Sequence, residues 1–294
     1  MTIVGRSPSR RHLAAAILLA GLSLVSAMPS RAEGQSHPAD LGGMARQAVI
    51  EIFRNRDPAA IDRFFSQSFV QHDPNIADGI SGLRAFVAQI ASSPKNGVAI
   101  YRTLVDGDIV MLHSKYESWP GFAGPVIAFD LFRFADEKIV EHWGGQEAEE
   151  GLNLSGRSQV DGATDVVDSD KTEANRTLIR EFKQVVTVDL RFDRVNDFID
   201  DDHYFQHASK VGDGIARLKA RVSEVAKPST APVLIPRRYV AEGNFVLAVV
   251  EARTVPPTTN YDLFRVENGR IVEHWDVLSA VPSLDHRRNK NERF

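Results

Sequence analysis

Asp130-Leu-Phe-Arg-Phe-Ala-Asp-Glu-Lys-Ile-Val-Glu-His-Trp143 returns later in the chain as Asp262-Leu-Phe-Arg-Val-Glu-Asn-Gly-Arg-Ile-Val-Glu-His-Trp275. At a shift of 132 residues the two stretches agree at nine of fourteen positions, where unrelated sequences would agree at about one. Self-similarity at a fixed spacing is typical of a duplicated structural unit. The sequence therefore predicts two copies of one domain.

The N-terminal residues predict export. Three arginines precede an apolar run over residues 13–27, which is too short to span a bilayer and is typical of a cleavable signal peptide. Small residues allow a cut after Ala32, and Arg10-Arg11 resembles a twin-arginine motif. We expect a signal peptide over 1–32 and export of a bacterial protein to the periplasm or the medium, by the twin-arginine or the general secretory route. No stable membrane insertion is expected after cleavage, and an uncut anchor is the alternative.

Composition limits the kinds of partner and chemistry. The 294 residues carry a formal net charge of −4, and outside the C-terminal tail there is no basic stripe, so we expect no nucleic-acid partner. Cysteine is absent, which excludes disulfides, thiolate chemistry and cysteine-bound zinc. Stability must therefore come from packed cores.

The remaining length suits two domains of ordinary size. We place them at 42–146 and 171–282. The residues between them, 147–170, are rich in glycine, serine and acidic side chains and lack apolar periodicity, which indicates a flexible linker. The basic and polar residues 283–294 indicate a frayed tail.

Helical patterns come before strand-like runs in each copy. In the first copy, apolar residues recur at helical spacing over 44–54, in a second short helix that starts at Asp57-Pro58, and again from Leu83 to Ile90. Runs of β-branched and aromatic residues then follow, at 100–105, 108–116, 126–134 and 138–143. Three helices followed by an antiparallel sheet is an α+β pattern. A curved sheet wrapped on helices would leave a conical pocket in each copy.

Several blocks of the second copy carry a specific resemblance. Tyr204-Phe-Gln-His207, Asp213-Gly214 and the block from Asp262 to Asp276 resemble the SnoaL-like polyketide cyclases, and within them the branch described as predicted aldol-condensation-catalysing enzymes. That family belongs to the nuclear-transport-factor-2-like superfamily. The resemblance covers both copies and implies two tandem domains of that fold with cofactor-free chemistry. A shared fold constrains activity much less.

A carboxylate inside an apolar strand is the first candidate for chemistry. Asp130 and Asp262 each lie in such a strand, where aspartate is unusual. Because side chains alternate across a strand, Asp130 shares a face with Phe132, and Arg133 lies on the other face. A carboxylate among aromatic rings is desolvated, which raises its pKa toward the range useful for removing a proton. The alternative is an aspartate that accepts hydrogen bonds within a polar cluster.

A histidine near the end of the last strand is the second candidate. His142 and His274 occupy this place, and imidazole can shuttle a proton or stabilise an enolate oxygen near neutral pH. Alternation puts Asp276 on the same face as His274, whereas Gly144 replaces that aspartate in the first copy. A mechanism that needs this carboxylate is therefore confined to the second domain. A His-Trp pair could instead fill a contact between the two sheets.

Three further histidines complete the candidate set. The resemblance places His72 and His207 at the pocket mouth, where each could orient a substrate carbonyl, although a histidine beside a loop is often structural. His113 lies midway along a strand, and Val249 has the matching place in the second copy. The candidate catalytic residues are thus Asp262, Asp276, His274 and His207 in the second domain and Asp130, His142, His72 and His113 in the first.

These groups predict acid/base catalysis on a small apolar carbonyl compound. Asp262 or Asp276 would remove a proton next to the carbonyl, while His274 or His207 would stabilise the enolate oxygen during aldol cyclisation, isomerisation or dehydration. Non-catalytic binding or an interaction-only role is the alternative, because the copies keep different groups. The resemblance implies no cofactor and no metal, and no short-range ligand spacing supports a metal site. We also expect the domains to pack as an intramolecular pseudo-dimer.

Overall fold

The computed structural model describes residues 39–93, 97–201, 203–225 and 232–294. The predicted signal peptide lies outside these residues. Within them, no helix has both the length and the apolar character needed to cross a membrane.

The first half begins with helices. Asp40 caps the first of them by accepting a hydrogen bond from the backbone N–H of Gly43 at 2.8 Å, and Ala45, Ala48 and Val49 form its buried stripe. The helix continues directly into a π-helical turn. The elements of this half are α1 (Leu41–Val49) with the turn Ile50–Arg54, α2 (Ala60–Phe64), β1 (Phe65–Gln71), α3 (Gly79–Ala91), β2 (Val98–Asp106), β3 (Ile109–Tyr116), β4 (Val126–Ala135) and β5 (Lys138–Ala148).

The second half repeats the order of the first. Its first helix also runs into a π-helical turn, and a short 3-10 segment, Phe192–Asp197, stands where the first half has its second helix. Its elements are α4 (Thr172–Phe182) with the turn Lys183–Val188, β6 (Phe205–Gln206), α5 (Ile215–Val225), β7 (Val233–Glu242), β8 (Phe245–Arg253), β9 (Thr258–Glu267) and β10 (Arg270–Ala280).

Each half contributes one five-stranded sheet, and the two sheets have the same topology. The strand orders are β1-β5-β4-β3-β2 and β6-β10-β9-β8-β7. All neighbours are antiparallel except at one edge, where β1 runs parallel to β5 and β6 runs parallel to β10. The expectation of a purely antiparallel sheet is therefore wrong at that edge. β1 and β5 are far apart along the chain, as are β6 and β10, so no tight hairpin forces these neighbours to be antiparallel.

The two faces of each sheet have different neighbours. In the first sheet, alternate residues such as Ala128 and Phe132 pack against the helices, while Phe129 and Leu131 join a cluster with Leu247 of the second sheet. β4 is consequently buried along nearly its whole length. Burial on both faces explains why its sequence is an almost continuous apolar run.

Reciprocal arginine and tryptophan contacts link the two sheets. The guanidinium of Arg102 on β2 lies 4.0 Å from the ring centre of Trp275, and that of Arg238 on β7 lies 3.9 Å from the ring centre of Trp143. Stacking of a guanidinium on an indole is a favourable cation–π contact. The two repeated Glu-His-Trp blocks therefore place their tryptophans between the sheets.

The segments that follow the two sheets cross to the opposite half. The side-chain amide of Asn153, after β5, donates to the backbone carbonyl of Gln206 at 2.6 Å. The side-chain amide of Asn289, after β10, donates to the carbonyls of Asp73 and Ile76 at 2.7 and 2.8 Å. These contacts contradict a flexible linker and a frayed tail, since buried asparagine amides fix both segments. The domain boundaries themselves stay predictions.

Candidate active site

Strand alternation brings one aspartate and one histidine together beneath the helices of each half. Asp130 lies directly opposite Gly144 on the neighbouring strand, and His142 lies opposite Phe132. The imidazole of His142 stacks on the Phe132 ring with centres 4.9 Å apart. The expected placement of Asp130 on the Phe132 face is confirmed by these contacts.

The first half holds its aspartate with a tyrosine. His142 Nε2 lies 3.1 Å from Asp130 Oδ1, and the Tyr116 hydroxyl donates to Asp130 Oδ2 at 2.7 Å. Burial and the nearby carboxylate raise the pKa of Tyr116 well above its ordinary value, so the hydroxyl stays protonated and remains a donor.

The second half holds the matching aspartate with a lysine. His274 Nε2 lies 3.2 Å from Asp262 Oδ1, and the Lys183 ammonium donates to Asp262 Oδ2 at 2.7 Å. Lys183 is only 6% exposed. A buried charge of this kind needs a partner, which Asp262 supplies.

A glutamine fixes the other ring nitrogen of each histidine. In the second half, Gln206 Oε1 lies 2.9 Å from His274 Nδ1 and also accepts from the backbone N–H of Ala208 at 2.9 Å. Gln71 and His142 make the same contact in the first half. Because the amide oxygen only accepts, Nδ1 of each histidine carries the hydrogen, and Nε2 is the nitrogen that can exchange a proton.

The two halves differ in the space beside these groups. The first half leaves a cavity of about 30 Å³ next to Asp130 and His142. The second leaves a cavity of about 180 Å³, lined mainly by apolar side chains and reached by Lys183, Asp262 and His274. A volume near 30 Å³ accommodates little more than water, so only the second cavity has room for an organic ligand.

Aromatic residues fill the first cavity. Trp119 stands in the loop after β3 and packs on Phe53, Phe86 and Tyr116, with ring centres 6.3, 5.1 and 4.9 Å away. The corresponding loop of the second half, 254–257, is shorter and contains no aromatic residue. Tyr116 lies four residues after Leu112, the strand partner of Asp130. Four residues after Ala248, the strand partner of Asp262, the second half has Ala252 in the place of Tyr116.

A substitution in the first helix distinguishes the halves electrostatically. The π-helical turns end in equivalent hydrogen bonds, from Asn55 N–H to the Ile50 carbonyl and from Asp189 N–H to the Gln184 carbonyl. Six residues before each donor, at 55 − 6 = 49 and 189 − 6 = 183, the chain has Val49 and Lys183. These two residues therefore occupy equivalent positions in the two halves. Turns of this type are frequent at functional sites.

The charge on Asp262 differs from the sequence-based expectation. Burial alone would raise its pKa, but Lys183 and His274 outweigh burial and hold the pKa of Asp262 well below its usual range. The expected shift toward basicity is therefore wrong for this residue, because no pattern in the sequence indicated the contact with Lys183. Burial lowers the pKa of His274, aided by Lys183 and opposed by Asp262, which favours the neutral imidazole.

Asp276 has the opposite character. Burial, together with Glu147 and Asp262, raises its pKa well above the ordinary value. One atom each of Asp262, His274 and Asp276 lies within 4.8 Å of the others. The described residues that line the cavity do not include Asp276, which is half-buried. Such spacing could suit a divalent cation, but the Lys183 ammonium already places a positive charge on Asp262.

His72 and His207 lie on the faces of their sheets opposite to those that carry His142 and His274. His72 stacks on Trp143 with centres 4.4 Å apart, and His207 stacks on Trp275 at 4.7 Å. Their Nε2 atoms contact Glu141 and Glu273 at 2.9 and 2.8 Å. The expected place at the pocket mouth is therefore wrong for both. Each directly follows the glutamine that contacts His142 or His274. Because side chains alternate along a strand, the residue after that glutamine points to the other face of the sheet.

His113 also lies away from both cavities. It is completely buried between the sheets, where its ring stacks on Phe129 at 4.4 Å and Nδ1 lies 3.1 Å from the Arg102 guanidinium. Register explains the error, because Leu112 pairs with Asp130 and the neighbouring His113 must face the other way. Burial and Arg102 lower the pKa of His113 well below its ordinary value.

One family model matches part of the first half. Residues 46–142 match the family model described as the SnoaL-like domain. No curated protein matches the chain. Solved structures similar to part of the chain include TsrD from Streptomyces laurentii, which is 18% identical and has a TM-score of 0.32 over 36% of this chain and 89% of that one.

Two further structures have comparable similarity. An NTF-2 like protein from Burkholderia xenovorans is 19% identical, with a TM-score of 0.34 over 38% of this chain and 89% of that chain. A polyketide cyclase candidate from Acidithiobacillus ferrooxidans is 19% identical, with a TM-score of 0.33 over 38% of this chain and 91% of that chain.

The family match covers the first half from within α1 to within β5, including Asp130 and His142. The second half has the same strand order, and its membership of the family stays a prediction. The expected α+β class is confirmed. The chain therefore contains a SnoaL-like domain at residues 46–142.

Proposed function

We propose that the second half binds a small, largely apolar carbonyl compound and catalyses proton transfer at the carbon next to its carbonyl. One observation carries the proposal: a cavity of about 180 Å³ with mainly apolar walls contains the Lys183, Asp262 and His274 side chains. Ligand sites commonly combine apolar walls with a few convergent polar groups. Aldol cyclisation, isomerisation and dehydration all begin with this proton transfer.

His274 is the base in this proposal. Its Nδ1–H is held by Gln206, so Nε2 is the nitrogen that can take a proton from the ligand. Asp262 stays ionised and would stabilise the imidazolium that forms. Lys183 lies beside the same carboxylate and would stabilise negative charge on the ligand oxygen.

The two carboxylates of the site would have different roles. The pKa of Asp262 is lowered and that of Asp276 is raised, so Asp276 holds its proton to a higher pH than Asp262 does. Groups whose surroundings separate their pKa values in this way are typical of acid/base sites. Asp276 has an oxygen within 4.8 Å of Asp262 and His274, and in its protonated form it would add no second negative charge beside Asp262.

Binding without catalysis is the second candidate function. It is favoured by the contacts of His274, since Gln206 and Asp262 engage both of its ring nitrogens. A ligand must displace the Asp262 contact before Nε2 can act as a base. A protein that only stores or carries the compound needs no such displacement.

Deuterium exchange into acetophenone tests the catalytic proposal. Proton NMR in D2O follows the loss of its methyl signal, and we expect the protein to accelerate this loss. His274→Asn should reduce the acceleration by about 10²–10⁴-fold, as expected for loss of a general base. His142→Asn is the matched control from the filled first cavity and should leave the rate unchanged.

The possible results separate the candidates. Exchange that does not respond to His274→Asn would exclude His274 as the base. Saturable acetophenone binding without exchange would favour the carrier function. Equal losses in the two histidine variants would contradict the assignment of the site to the second half.

Export also belongs to this proposal. Arginines followed by an apolar run at the N-terminus support delivery to the periplasm or the medium. Antibody detection of the protein in periplasmic and cytosolic fractions, with an Arg10-Arg11→Lys-Lys variant, would separate the twin-arginine from the general secretory route.

A further inference from the structure

We propose that Lys183 is a nucleophile that captures the carbonyl ligand of the second cavity as an imine. The inference rests on the proposed function, because it takes the ligand to be a carbonyl compound. It adds a covalent step and assigns it to a residue that acid/base chemistry alone does not require.

The position of Lys183 supports this role. Its side chain lines the cavity and is 6% exposed, and its ammonium nitrogen lies 5.1 Å from the ring centre of Phe264. Confinement among apolar walls holds the amine against any ligand that enters. A lysine desolvated in an apolar pocket is a recognised carbonyl nucleophile.

The neighbours of Lys183 can accept a proton from its ammonium group and return it. Its nitrogen is 2.7 Å from Asp262 Oδ2, and Asp262 Oδ1 is 3.2 Å from His274 Nε2. A continuous path therefore joins the amine to the imidazole through one carboxylate. A proton leaving the ammonium can pass to His274 and return from it.

The covalent step balances without any further reagent. The Lys183 ammonium first gives one proton to His274, by way of Asp262. The free amine pair then forms a C–N bond to the carbonyl carbon, and the carbonyl π electrons move to the oxygen, which takes the proton of the attacking nitrogen. His274 returns its proton to the resulting hydroxyl, water leaves, and a protonated imine remains. Hydrolysis reverses the sequence and releases the ligand.

Comparison of the halves argues against a purely structural lysine. Val49 occupies the matching place in the first half, where the aspartate is satisfied by the Tyr116 hydroxyl. The fold thus holds the buried aspartate without a lysine in one half. The amine is found only beside the larger cavity.

Reductive trapping with benzaldehyde and sodium cyanoborohydride tests the proposal. Benzaldehyde has no proton next to its carbonyl, so enolisation cannot interfere. Cyanoborohydride converts an imine into a stable secondary amine, which peptide mass spectrometry locates. We expect Lys183 to be modified on the order of tenfold faster than the exposed Lys210, because the cavity concentrates the aldehyde at the amine.

Two variants provide the controls. Lys183→Arg keeps a positive charge beside Asp262 but cannot form an imine, so its peptide should carry no adduct while the folded protein still binds benzaldehyde. Lys171 lies outside the cavity, and its exposed ammonium pairs with Asp168 at 3.0 Å. Lys171→Arg should leave the adduct on Lys183 unchanged.

Failure of the imine and failure of the proposed function give different results. Saturable benzaldehyde binding with Lys183 modified no faster than Lys210 would overturn the imine, and acetophenone exchange would still report on the base. Absence of binding for both compounds would overturn the imine and the proposed function together.

Discussion

Individual side chains distinguish the Asp-His pairs of the two halves. Both halves contain an Asp-His pair that contacts a glutamine. The second half adds Lys183 and Asp276, and the equivalent residues of the first half are Val49 and Gly144. In the first half, a Cβ at Gly144 would lie 3.0 Å from the His142 ring. A side chain at this position is therefore brought directly against the histidine.

Asp276→Asn should stabilise the folded protein at neutral pH. The folded pKa of Asp276 is raised, so the unfolded chain loses this proton first, and stability falls as pH rises from the ordinary aspartate pKa toward the folded value. Asparagine removes that penalty, so the free energy of unfolding at pH 7 should rise. Urea unfolding at several pH values measures this difference.

The pH dependence supplies the internal control. Near pH 3 both states of the wild-type protein hold the Asp276 proton, so the difference between wild type and variant should shrink to about zero. A variant that is less stable than the wild type at pH 7 would show that the ionised carboxylate stabilises the fold.

Whole loops and strands determine the size of each cavity. The loop between β3 and β4 is long enough to bring Trp119 over the first cavity, whereas the loop between β8 and β9 leaves the second open. Gain or loss of a pocket in this fold can thus depend on one connection, while the strands and their register stay the same.

Trp119→Ala should destabilise the protein and open the first cavity. Trp119 is 5% exposed and packs on three aromatic rings, so truncation should cost about 3–5 kcal/mol. Val255→Ala in the corresponding exposed loop is the control and should change stability by less than about 0.5 kcal/mol. Chemical denaturation gives both values, and similar losses in the two variants would contradict the filling role of Trp119.

Sequence patterns predicted the elements better than the partners of the catalytic groups. Alternation along β4 placed Asp130 on the helix side, because a period of two needs only one strand. It could not predict Lys183, since a salt bridge between a helix and a strand depends on how they pack. The repeated Gln-His pair did indicate the site. We assigned its role there to the histidine, whereas the glutamine is the residue that contacts His142 or His274.

At the scale of the whole molecule, the two halves support each other. The segment after each sheet crosses to the opposite half. An arginine of each sheet stacks on the tryptophan of the other sheet. His72, His207 and His113 take part in this joint structure. Histidines that resembled catalytic groups in the sequence therefore contribute to packing between the halves.

Asn153→Ala and Asn289→Ala should weaken the protein to a similar extent. Each side-chain amide donates two hydrogen bonds to backbone carbonyls of the opposite half, and loss of buried bonds leaves those carbonyls unsatisfied. We expect each variant to lose about 1–3 kcal/mol of unfolding free energy. No loss in Asn289→Ala would indicate that the tail is frayed after all.

Ligand stoichiometry, measured by isothermal titration of the mature protein with acetophenone, tests most directly whether function resides in the second cavity. We expect one saturable site per chain, because the first cavity of about 30 Å³ is too small for this compound. Val186→Trp should abolish binding while the protein remains folded by circular dichroism, since Val186 lines the second cavity. Two sites per chain, or one site that persists in Val186→Trp, would contradict the assignment.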